Sequence, residues 1–146
     1  MGTKADAGTR QALRAALAAA EAKKALEPVV LDVRGLAGFT DYFLLCHGAN
    51  PRQVQAIADE IERALAKQRP PRRPSHREGY AHAEWVVLDY LDFVVHVQSA
   101  AGRAFYALER LWQKAPHWRP EPRPRRAAGA ARPAVKRRRA GAKRAE

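Results

Sequence analysis

Apolar side chains recur along the chain with two alternating periods, and each switch of period marks a new element. Between Thr9 and Ala25, Leu13, Ala16, Leu17 and Ala20 stand three or four apart among alanines of high helix propensity. This predicts a first helix, with Lys23 and Lys24 at its dipole-negative end and Pro28 beyond it. Val29 to Val33, "VVLDV", is β-branched and nearly all apolar, the mark of a buried strand. Gly35 and Gly38 punctuate a turn, and "YFLLC", residues 42–46, predicts a second buried strand. The helical period then returns in its clearest form. Asn50 is a good N-cap, Pro51 suits the first helical position, and Gln53 makes a capping-box-like pair with Asn50. Val54, Ile57, Ala58, Ile61 and Leu65 form one stripe, with Asp59, Glu60, Glu62 and Arg63 turned elsewhere.

A proline- and arginine-rich stretch from Lys67 to Gly79 predicts an exposed, mobile connection. "EWVVLDY" and "FVVHVQ", flanking Leu91 and Asp92, then predict an antiparallel hairpin. Ser99 is placed to cap a last helix with a stripe of Phe105, Leu108, Leu111 and Trp112, and Pro116 follows its end. The order α-β-β-α-β-β-α implies an α/β domain, a mixed sheet flanked by helices. Its expected bounds are 9–116, between a flexible 1–8 and a cationic tail, 117–146, which has no periodic apolar face and is expected to be disordered.

Charge sharpens this division. Of the net +12, residues 117–146 carry +9, from 11 basic and 2 acidic side chains, which leaves +3 for the first 116 residues. Such a tail gains affinity for phosphates by counterion release, with little sequence preference. Its densest cations are Arg125, Arg126, Lys136, Arg137, Arg138 and Arg139, candidates for contact with RNA, although a merely solvated tail has the same composition. No apolar run approaches the ~20 residues that span a bilayer, and no apolar block follows a basic start, so a cytoplasmic protein without membrane partner is expected. The single cysteine, Cys46, excludes an internal disulfide and a cysteine-based zinc site.

Catalytic chemistry finds little support in the spacing. Asp32, Asp41, Asp89 and Asp92 stand near strand ends, but no Asp-x-Asp places two carboxylates on one strand face for a two-metal site. Gly48 before the capped helix lacks the repeated glycines or the lysine of a nucleotide loop. His47, His76, His82, His96 and His117 are scattered, so neither metal nor cofactor is expected. Cys46 and His47 are strand neighbours that point to opposite faces.

The hairpin is more informative. Val86, Leu88 and Tyr90 share an apolar or aromatic face, as do Phe93, Val95 and Val97. Trp85, Val87 and Asp89, and Val94, His96 and Gln98, make the mixed faces. A tryptophan on a mixed face fits a protein-binding patch, or one covered by the linker or a helix.

Three segments together resemble the ribosomal silencing factor (Iojap-like) family. They are "LDVRGLAGFTDYFLLCHGANPRQVQAIADEI", "EGYAHAEWVVLDYLDFVVHV" and "RAFYALERLW", within residues 10–116. The resemblance implies a fold related to nucleotidyl transferases without transferase activity, hence no enzyme. It implies binding to the large ribosomal subunit at ribosomal protein fourteen, which blocks joining of the small subunit and lowers translation when nutrients are short. It also implies homodimers when free. By motif, Trp85 matches a contact residue for the ribosomal protein, Glu78, Gly79 and Asp89 match neighbouring positions, and Asp92 matches the acid of a turn usually written Gly-Asp. Leu91 stands where that turn has its glycine. The rival expectations are a transferase-like enzyme using Asp41, Asp89 or Asp92, and an RNA-binding or subunit-assembly factor led by its tail.

Overall fold

A computed structural model describes residues 4–120. Its elements are α1 (Lys4–Ala22), β1 (Leu26–Asp32), β2 (Tyr42–Gly48), α2 (Pro51–Ala66), β3 (His76–Glu78), β4 (Trp85–Asp89), β5 (Phe93–Ser99), α3 (Ala100–Tyr106) and α4 (Leu108–Leu111). The five strands form one mixed sheet in the order β1-β2-β5-β4-β3. Only β2 and β5 are parallel; every other neighbouring pair is antiparallel.

The predicted α2 stripe of Val54, Ile57, Ala58, Ile61 and Leu65 is buried throughout. It packs with Leu13, Ala16 and Ala20 of α1 on the sheet face that presents Leu44, Cys46, Val86, Leu88, Phe93, Val95 and Val97. The start of α2 follows its sequence signals: Gln53 N donates to Asn50 Oδ1 at 2.8 Å, with Pro51 in the first turn. The Gln53 side chain does more than close a cap. Its Oε1 accepts from Ala49 N at 2.6 Å, and its Nε2 donates to the carbonyls of Lys23 and Lys24. The turn at Gly48 is thereby used by the helix start itself.

Four expectations change. The helix α1 begins at Lys4, so the boundary expected at residue 9 falls inside an element. Beyond Pro116 the chain still belongs to the domain: His117 bridges Leu31, Trp118 N donates to Val30 O, and the Trp118 ring packs on the α1 side of the core. The connection after α2 holds the edge strand β3 instead of running free. Arg77 ties it to Glu62 at 2.8 Å and Asp59 at 3.4 Å, and Tyr80 Oη donates to Asp59 at 2.8 Å. Alternation along a three-residue strand was too short to register against so many prolines and arginines.

The last change concerns the final helix. Ala107 adopts left-handed φ 50° and splits it into α3 and α4. The break turns the two halves relative to each other, so the expected stripe does not line up. Leu108 is buried and Trp112 packs against the sheet, while Phe105 and Leu111 are 78% and 71% exposed. Among the described residues no helix is long and apolar enough to cross a membrane.

Candidate interaction surface

The second sheet face carries Leu31, Val33, Phe43, Leu45 and Val94, with Trp85 and Val87 partly buried beside them. Its cover is thin: Leu108, Trp112 and Ala115 pack on it, and α3 reaches it through Arg103 and Tyr106. Aromatic rings fill the gap between cover and sheet. Tyr106 lies 4.5 Å from Trp85 between ring centroids, His96 5.9 Å from Trp85, Phe43 5.0 Å from His96, and Trp112 5.3 Å from Phe43. Phe105 and Phe39 extend this ridge into solvent at either end. Trp85 remains half-buried: Tyr106 of α3 packs against the indole, and part of the side chain stays accessible.

Two neighbours fix Trp85. Gly79, with φ 80°, passes so close to the Trp85 carbonyl that a Cβ there would sit 1.9 Å from the oxygen. No side chain fits, which gives the glycine of the "EG…W" motif a steric reason. From the sheet, His96 Nδ1 accepts a hydrogen bond from Trp85 Nε1 at 3.0 Å. Accepting at Nδ1 places the proton of the neutral ring on Nε2, which is buried without a partner among the described residues. Burial depresses the His96 pKa to about 4, against a smaller opposing pull from Asp89.

The four partner-binding residues expected from the sequence fall in two places. Trp85 and Asp89 lie on the open face of β4, and Glu78 on β3 stands opposite Val87 on that same face. Asp89 Oδ1 also accepts from Leu91 N at 2.8 Å, capping the hairpin turn. Asp92 belongs to the helix side, where Arg72 Nη1 lies 3.6 Å from it and Thr9 Oγ1 3.4 Å. Leu91 takes the family turn without its glycine, at left-handed φ 73°. The six tail residues Arg125, Arg126, Lys136, Arg137, Arg138 and Arg139 lie outside the described residues.

Sequence spacing separated Asp41 from every other acid, yet the fold brings it to Asp92. Asp41 N donates to Asp92 O at 3.0 Å, and both residues line an open cavity of about 420 Å³ with Thr40 and Leu91. Among the described residues no group of three or more His, Cys, Asp or Glu is placed to hold a metal ion. Cys46 is buried in the core, where desolvation pushes its thiol up to about 12. His47 points the opposite way, with its Nδ1 3.1 Å from Arg103 Nη1.

The family model described as "Ribosomal silencing factor during starvation" matches residues 6–145, nearly the whole chain. The chain belongs to the ribosomal silencing factor family. A ribosomal silencing factor from Halalkalibacterium halodurans is 41% identical over 107 residues, covering 73% of this chain and 90% of the relative. One from Bacillus subtilis is 41% identical over 104 residues, 71% of this chain and 86% of the relative. Among solved structures, a Bacillus halodurans protein matches with TM-score 0.65 at 39% identity, over 75% of this chain and 98% of that one. A Chromobacterium violaceum protein matches with TM-score 0.67 at 30% identity, over 84% and 94%. His96 and Tyr106 are the neighbours of Trp85 that sequence reasoning passed over. Period two put Trp85 and His96 on the mixed face of each strand, but only the register of β4 against β5, which pairs Trp85 with Gln98 and Val87 with His96, makes them diagonal neighbours within hydrogen-bond reach.

Proposed function

We propose that this protein binds the large ribosomal subunit through the open sheet face around Trp85, at ribosomal protein fourteen, and so occupies space that the small subunit needs. The observation that carries the reading is the half-buried Trp85 at the centre of an aromatic ridge, in a chain whose relatives are named ribosomal silencing factors. A tryptophan backed on one side by rigid neighbours loses little freedom on docking, and such residues dominate protein interfaces. Asp89 and Glu78 on the same face suit a basic ribosomal protein. The activity is steric occlusion; it lowers translation under nutrient limitation and asks no chemistry of the protein. Co-sedimentation with isolated large subunits tests it: Trp85→Ala should abolish most of the binding, and full binding by that variant overturns the reading.

The charge of the tail supports a second contact, with rRNA phosphates. The core contacts reach Trp118, so the clean test removes residues 121–146 and leaves every described element in place. The shortened protein should bind subunits with a shallower dependence on salt; an unchanged slope removes the tail from the interface.

A further inference from the structure

We propose that His96 is the positioning residue for Trp85, holding the indole in the orientation in which it docks; the inference rests on the docking reading above. The geometry is specific. Among the described residues the Trp85 Nε1–H donates to His96 Nδ1 at 3.0 Å, and the imidazole is itself fixed by the Phe43 ring, edge-on at 5.0 Å. Tyr106 bounds the indole from α3 at 4.5 Å, and Gly79 fixes the backbone from which the side chain rises. Without the imidazole, Trp85 keeps its place in the strand but loses the contact that selects its rotamer from the sheet side.

A residue present only to fill the core would be apolar at this position. His96 is buried between Leu45 and Val87 of the neighbouring strands, against Phe43 and the indole, and its Nε2–H has no partner among the described residues. Burying an unpaired donor is unfavourable. The imidazole therefore does nothing for packing that leucine would not do, while its Nδ1 supplies an acceptor to the indole. The groups that face it are the Trp85 indole, the Phe43 ring and, more remotely, the Asp89 carboxylate.

The inference separates into a part seen in the free protein and a part seen on the ribosome. In the free full-length chain, the Trp85 Nε1–H proton resonance, identified by its loss in Trp85→Phe, should move in His96→Leu. It should stay near its wild-type position in His96→Asn, whose Oδ1 replaces Nδ1 as acceptor. On isolated large subunits, His96→Leu should bind about tenfold more weakly, the worth of one hydrogen bond, with unfolding stability unimpaired at pH 7. His96→Asn should bind like the wild type. An unmoved resonance in His96→Leu overturns the proposal, as does equal weakening by Leu and Asn, or weakening matched by a loss of stability. Intact binding by Trp85→Ala overturns the docking reading instead, and the resonance measurement still reports on the His96 contact.

Discussion

The two faces of the sheet are built from the same alternating strands and end in opposite conditions. One is sealed: α1 and α2 cover it with aliphatic side chains, and its single thiol is held protonated by burial. The other is roofed by two short helices and a loop, and aromatic rings and the His96 imidazole stand where aliphatic side chains would otherwise close it. On the docking reading, the difference divides stability and recognition between the faces. Substitutions on the sealed face should cost folding free energy, and those on the open face should cost binding.

The strongest break of that division is Ile57→Ala on the sealed face. Chemical denaturation should show a loss of about 4 kcal/mol, while the molecules that remain folded bind large subunits as before. Next is a change of pH. The His96 pKa is about 4 in the folded chain against an ordinary 6.5, so the unfolded chain takes up the proton first. Stability is therefore whole above about pH 6.5 and declines as pH falls toward 4, by about 3 kcal/mol from this group. His47, also depressed by burial and Arg103, adds to the same slope. The His96 share is the difference between wild type and His96→Leu in denaturation series across that window.

Trp85→Ala comes third, with about 2 kcal/mol lost from subunit binding. Equal losses in binding and in stability would erase the distinction between the faces. The smallest effect belongs to the turn between them. Leu91 is 64% exposed and holds left-handed φ 73°, a strain of about 1 kcal/mol for a side chain with little to bury. Leu91→Gly should raise the unfolding midpoint and leave binding unchanged.

The sealed face was legible in the sequence because its signal is periodic. The stripe from Val54 to Leu65 and the apolar strand positions each repeat, and repetition survives without knowledge of the partner element. The open face was legible only as a list of candidates. Trp85 stood out by its size and its mixed strand face, and Asp89 and Glu78 followed it. Asp92 joined them by motif and lies on the other side, because the chain reverses at Leu91 and Arg72 and Thr9 draw the carboxylate toward the helices. His96 stayed hidden because its role depends on strand register. Phe105 and Leu111 looked like core because a left-handed alanine leaves no mark in a sequence that is rich in alanine.

Gln53 ties the end of α1, the end of β2 and the start of α2 through one side-chain amide. Local opening at any of the three strips hydrogen bonds from the other two, so they should exchange their amide protons as a single cooperative unit. The α3–α4 roof shares none of the Gln53 bonds among the described residues, but Arg103 ties α3 to the same junction, 3.3 Å from Leu26 O and 3.1 Å from His47 Nδ1. On the docking reading, a partner seated on the open face should therefore slow exchange at that junction as well as in the roof.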